Sequence, residues 1–177
     1  MIDCIEESEG YVIPLEHLKN HLRLESSAED NYLESIIKTA TAAVENYVER
    51  TLLVKTWRIL SHHLRKKETM HNVELYYPPL LHIVSVSEIL SKEEKKSLKR
   101  YSVALNGSRP FLSVLAENVE IIYKAGYGEA GSSIPLPIRQ AITLVAAEMY
   151  DKRVDAVDGL SGMVQFLLQP YRVMAWG

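Results

Sequence analysis

Cysteine is almost missing from this chain: its 177 residues hold one, Cys4, so neither an internal disulfide nor a cysteine-built zinc site can form. Phenylalanine and tryptophan are scarce at two each, while tyrosine occurs ten times, a bias toward half-buried aromatic positions that suits an assembly surface and equally suits any sheet. No window approaches the roughly 18 uninterrupted apolar residues of a membrane span. There is no internal repeat and no low-complexity segment. Met1-Ile2-Asp3-Cys4 opens acidic, without the basic-then-apolar order of a secretory signal, so the expectation is synthesis in the cytoplasm and no membrane partner. Near a terminus expected to fray, Cys4 reads as incidental. An apolar share of 47% and a charged share of 24% exclude wholesale disorder and fibrous repeats, and the length fits one domain.

The net charge of −3 conceals a division along the chain. Residues 1–54 hold 4 Lys and Arg against 11 Asp and Glu, residues 55–109 hold 11 against 5, and residues 110–177 hold 5 against 7. An acidic first third and a basic middle fit either a nucleic-acid face or complementary surfaces meeting between copies of one protein.

Pro14 followed by Leu15, Leu18 and Leu22 predicts a short helix stopping near Arg23. A long amphipathic helix from about Ser27 to about Arg50 follows from Leu33, Ile36, Ile37, Ala40, Val44 and Val48, with Ser26 and Ser27 at capping-box distance from Glu29 and Asp30. The period then changes to two. Trp57-Ile59-Ser61, Val73 to Tyr77, Ile83 to Ser87, Phe111 to Leu115 and Asn118 to Lys124 predict strands of a small, largely antiparallel sheet. Lys92 to Arg100 reads as an exposed charged loop and Asn106-Gly107 as a turn. Pro135 and Pro137 introduce a second amphipathic helix reaching about Arg153; a last short helix spans Met163 to Leu168, and Pro170 to Gly177 forms an exposed tail. The fold class is therefore α+β: a helical body (residues 1–54 and 135–169) with a β insertion at 55–124, in a single domain over 1–177 that ends in the tail 170–177.

The candidate chemistry is thin. Gly126-Tyr127-Gly128-Glu129-Ala130-Gly131 spells G-x-G-x-x-G after a predicted strand, but Ser132 to Pro137 separates it from the next helix, so Gly126, Tyr127 and Gly128 read as a structural turn. His17 and His21 share a helix face with no acid between them and no third ligand; His62, His63, His71 and His82 lie in or beside the strand region, where adjacent residues point to opposite faces. Gly159-Leu160-Ser161-Gly162 lacks the spacing of a nucleophile elbow. Arg65-Lys66-Lys67 and Lys92, Lys95, Lys96, Lys99 and Arg100 are candidates for phosphate contact, interrupted by Glu68, Glu93 and Glu94. No catalytic residue, metal ligand or cofactor is expected. In the tail, Tyr171, Arg172 and Trp176 are side chains favoured at interface hot spots.

In order along the chain, Ile13-Pro14-Leu15 with the Asp30 to Tyr47 helix, Tyr77-Pro78-Pro79 before Ile83 to Val86, Ala125-Gly126-Tyr127-Gly128 leading through Pro135 to Arg139-Gln140-Ala141, and Leu167-Leu168 with Pro170-Tyr171-Arg172-Val173 form a recognisable set. This set resembles the head-to-tail connector (adaptor) proteins of tailed bacteriophages and prophages, the small ring-forming family that docks beneath the portal. The resemblance implies a structural virion neck protein, not an enzyme. It would be a dodecameric ring between portal and tail or stopper proteins, closing the DNA-filled head and letting DNA pass without sequence-specific binding. The anchor-type side chains after a helix stop lead us to expect a portal-docking tail at Pro170, Tyr171, Arg172, Val173 and Trp176, and the mixed charge of the Lys92 to Arg100 segment, which has no counterpart in the resemblance, fits weak DNA or inter-subunit contacts. The protein would reside in the virion neck after assembly in the host cytoplasm. Two other readings compete: a nucleic-acid-binding accessory protein of DNA packaging, and a small nucleotide-binding enzyme.

Overall fold

The computed structural model describes residues 1–62, 70–91, 94–106, 109–152 and 159–173. They fold as two compact units. One is built on Met1–Ser8 and Val54–Tyr127, the other on Glu9–Leu53 and Gly128–Val173.

The first unit is all β. Its strands are β1 (Ile2–Glu7), β2 (Lys55–Ser61), β3 (His71–Glu74), β4 (Leu80–Ile89), β5 (Lys95–Ser97), β6 (Tyr101–Asn106), β7 (Arg109–Val114) and β8 (Val119–Ala125). They form two sheets rather than the single one expected: five strands in the order β1-β2-β8-β4-β5 and three in the order β3-β7-β6. Every strand pair is antiparallel. Strand β7 shows why the pattern works, burying Pro110, Leu112 and Val114 while Arg109, Phe111 and Ser113 stay partly accessible. Leu112 and Val114 join Val73, Leu75, Val86, Val119, Ile121 and Tyr123 in one apolar core that draws on both sheets.

Three features of this unit depart from the sequence reading. The N-terminal segment does not fray: Ile2–Glu7 is an edge strand, and the Met1 ammonium donates to the Leu60 carbonyl at 3.0 Å. Its acids are matched across the pair, where Asp3 lies opposite Arg58 and Glu7 opposite Lys55, with ion-pair distances of 2.9 and 3.3 Å. The charged run expected as a loop contains β5, whose lysines suit an exposed edge. Residues 101–106, between the expected loop and the expected turn, form β6.

Tyr123 is fully buried in the β8 centre and its hydroxyl donates to the Tyr76 carbonyl at 2.8 Å. Burial, reinforced by Tyr77, pushes its phenol far above the ordinary value. The unfolded chain's tyrosine ionises near pH ~10, so the contribution of the neutral phenol is intact below that point and falls by about 1.4 kcal/mol per pH unit above it. Tyr123→Phe is expected to lose about 1 kcal/mol at neutral pH through the hydrogen bond, and to weaken less steeply than the parent above pH ~10. Urea midpoints measured from neutral to alkaline pH check both.

The second unit is helical: α1 (Leu15–Leu22), α2 (Asp30–Val48), α3 (Leu136–Lys152) and α4 (Gly162–Leu168), with single 3-10 turns at Gly131–Ser133 and Gln169–Tyr171. Helix α1 starts after Pro14 and stops where Arg23 turns left-handed at φ 58°, with Leu24 N–H closing on the Lys19 carbonyl at 3.0 Å. Helix α2 buries Leu33, Ile36, Ile37, Ala40, Val44 and Val48 at the spacing the sequence predicts, against Ile138, Ala141, Ile142 and Val145 of α3. The expected capping box does not form. Glu29 holds the N-cap position without a side-chain capping bond, its carboxylate accepting instead from the Tyr150 hydroxyl at 2.6 Å, and the Ser26 hydroxyl accepts from Ala28 N–H at 3.1 Å. Arg153, the expected end of α3, lies outside the described residues.

Candidate assembly surfaces

The tail expected to hang free is folded back as far as the structure describes it. After α4, Pro170 lies in the 3-10 turn, and Val173 is 2% exposed, its N–H donating to the Val48 carbonyl at 3.0 Å. The cause lies in α2. Its last carbonyls have no partner within the helix, and an extended segment passing the C-terminus satisfies one of them. The Arg50 Nε donates to the Tyr171 carbonyl, and the Arg172 guanidinium lies 5.2 Å from the centre of the Tyr47 ring. Val173 is thus core, Tyr171 is half-buried, and Pro170 and Arg172 remain accessible. Trp176 lies outside the described residues.

The basic candidates also separate. Lys95 is committed within the chain, its ammonium bonding both carboxylate oxygens of the nearly buried Glu120 at 2.9 and 2.8 Å. Lys96, Lys99 and Arg100 are exposed around β5 and the approach to β6. Residues 65–67 and Lys92 lie outside the described residues. His17, His21, His62 and His82 face solvent, and His63 lies outside the description. Among the described residues, no three His, Cys, Asp or Glu side chains stand close enough to hold a metal ion, and no helix is long and apolar enough to cross a membrane.

The glycine turn is a device of backbone packing. Gly126 adopts φ 136° and its N–H donates to the Pro79 carbonyl at 2.9 Å. The third glycine of the motif, Gly131, lies in a 3-10 turn where a Cβ would run into the Val12 carbonyl oxygen, and α3 begins only at Leu136. The close approach that a dinucleotide loop reserves for pyrophosphate is taken here by the chain itself.

What sequence reasoning missed is an apolar edge. Tyr101, Val103 and Leu105 of β6 stand opposite Val114, Leu112 and Pro110 of β7, hence on the core face of the small sheet, yet all three are exposed and Leu105 reaches 77%. The alternation of Tyr101, Val103 and Leu105 with Ser102, Ala104 and Asn106 was the available signal. On the helical unit, Met163 and Phe166 sit at i and i+3 on α4, Phe166 72% exposed. Exposed apolar side chains grouped in this way mark interaction surfaces rather than chemistry.

Over residues 12–163 the sequence matches the family described as phage gp6-like head-tail connector protein. The fold is similar along its whole length to a chain from the neck of an empty GTA particle computed with C6 symmetry: TM-score 0.84, 23% identity, 100% of this chain and 98% of the other. It is similar to a chain in the virion of the native gene transfer agent (GTA) particle at TM-score 0.82 and 23% identity, with the same coverage. A chain from the neck of the native GTA particle computed with C12 symmetry gives TM-score 0.76 at 21% identity. At these identities the three establish a shared fold. Comparison with curated proteins gave no match.

Proposed function

Because the chain belongs to the phage gp6-like head-tail connector protein family, we propose that it is a structural protein of the virion neck. It forms a ring between the portal and the tail or stopper proteins, completes the DNA-filled head and leaves a channel for DNA. The observation that carries this reading is the family match across 12–163, joined to a fold shared end to end with GTA neck chains. The C6 and C12 symmetries of those necks support a cyclic, head-to-tail oligomer, with a dodecamer as the finer expectation.

The role is one of assembly rather than catalysis. Exposed Pro170 and Arg172, with Trp176 beyond them, are the part of the tail offered to the portal. Exposed Lys96, Lys99 and Arg100 supply contacts to a neighbouring subunit or weak, sequence-independent contact with passing DNA. Assembly takes place in the host cytoplasm, and the finished ring stays in the neck. In producing cells, deletion of the gene is expected to yield DNA-filled heads without tails, seen by electron microscopy and restored by the gene in trans. Normally tailed particles from the deletion strain would overturn the proposal.

A further inference from the structure

The ring reading leaves open which surfaces join neighbouring copies, and two of the four sheet edges of the β unit, β1 and β6, answer it. We propose that β6 of one copy adds antiparallel to β1 of the next, the basic approach to the first meeting the acidic edge of the second. This inference rests on the ring proposed above.

Both strands are six residues long, and each lies at the end of its sheet, with no further strand beside it among the described residues. Edge strands are ordinarily protected by charge, proline or a bulge. Strand β1 has such protection in Asp3, Glu6 and Glu7 and in the register shift between Cys4 and Glu6. Strand β6 has none: Tyr-Ser-Val-Ala-Leu-Asn contains no charge and no proline, its pairing with β7 runs without a shift, and residues 101–105 are all exposed. An unprotected apolar edge of this kind is stable in solution only when something covers it.

Charge selects the occupant and the direction. Exposed Lys99 and Arg100 immediately precede β6, while the carboxylates of Glu6 and Glu7 close β1, so antiparallel addition sets the start of β6 against the end of β1 and opposes unlike charges. Parallel addition would carry Lys99 and Arg100 to the end bearing the Met1 ammonium. Pairing β1 with β1 would bring carboxylates onto carboxylates. Because the two edges differ, each added copy presents the same free edge as the last, which is what closing a cyclic ring requires. Ile5, exposed on β1, supplies an apolar contact for the β6 strip.

The native Cys4 makes the test simple, since it is exposed on β1 and is the only cysteine of the chain. Tagged wild-type protein, carrying Cys4, is mixed with untagged C4S/V103C, concentrated and oxidised with copper phenanthroline, because burial and the Glu7 charge raise the Cys4 thiol's pKa. C4S/S102C and C4S/A104C bracket the register and stand in if Val103→Cys perturbs the fold. The expected product is the mixed disulfide dimer, lost when Lys99→Glu and Arg100→Glu are added to the cysteine-bearing β6 partner. A β6 to β6 disulfide from the untagged variant alone would mean two-fold pairing and overturn the proposal. Rings in electron micrographs without mixed dimer from any of the three positions would overturn the strand pairing and leave the neck reading standing. Neither rings nor dimers at the highest soluble concentration would overturn both.

Discussion

Removing residues 170–177 is expected to destabilise the helical unit by about 3 kcal/mol, because the deletion strips a fully buried valine and the chain segment that caps α2. Val173 is as buried as the residues of the α2 stripe, its N–H satisfies the Val48 carbonyl, and the Tyr171 carbonyl accepts from Arg50. Burial of one valine contributes about 1.5–3 kcal/mol and each backbone-type hydrogen bond about 1 kcal/mol. The Arg172 contact with Tyr47 adds about 0.5–1 kcal/mol at an accessible site, and the conformational entropy lost in ordering the segment, about 1–2 kcal/mol per residue fixed, offsets enough of these gains to leave about 3 kcal/mol. Urea unfolding followed by circular dichroism measures the loss, and Val173→Ala should reproduce roughly a third to a half of it, about 1–1.5 kcal/mol. A deletion protein with an unchanged midpoint would show that the segment is a free arm after all. The result also governs how portal attachment can be tested: truncation would confound docking with unfolding, whereas Arg172→Ala changes an exposed side chain and leaves Val173 in place.

The same segment shows where the sequence stops being legible. Helix α2 could be read because six buried side chains recur at helical spacing within one stretch, and α3 because prolines mark its start. Strands β2 and β8 could be read from alternation alone. Pro170-Tyr171-Arg172-Val173 has no period, and the carbonyl that fixes it belongs to Val48, far back in the chain. Strand β1 was opaque for a related reason. Ile-Asp-Cys-Ile-Glu-Glu carries three acids, and only the pairing with Arg58 and Lys55 makes that sequence a good strand. In β5 the lysines that looked like a solvated loop are compatible with an edge, and Lys95 is neutralised by Glu120 from β8, a strand away in the sheet order beyond β4. Local pattern reports periodic burial well. It reports poorly on segments whose conformation is set by a single distant partner, and the candidate surfaces of this protein are made largely of such segments.

Lys19 is a further case, and its ion pair is expected to break asymmetrically. A lysine in the middle of a short helix reads as solvated, yet its side chain is only 8% exposed and bonds Asp30, at the start of α2, at 2.9 Å; Asp30 itself keeps 31% exposure. Asp30→Ala leaves an ammonium in a dry site with no anion. The penalty reaches about 3–5 kcal/mol for a fully buried pair, and the water that reaches Asp30 reduces the expectation to about 2 kcal/mol. Loss of a carboxylate from the first turn of α2 adds a few tenths, about 0.3–1 kcal/mol, through the helix dipole. Lys19→Met is the milder change: it keeps the apolar stem, removes the buried charge, and leaves a carboxylate that water can still reach and the dipole still favours, so the expected loss is about 1 kcal/mol or less. With both substitutions, stability should therefore lie nearer to that of Lys19→Met than to that of Asp30→Ala, since the stranded ammonium is gone. Unfolding free energies of the four proteins form a double-mutant cycle that reads this directly. Equal losses from the two single changes would mean that Lys19 is solvated in practice and that the ion pair does not hold α1 to α2.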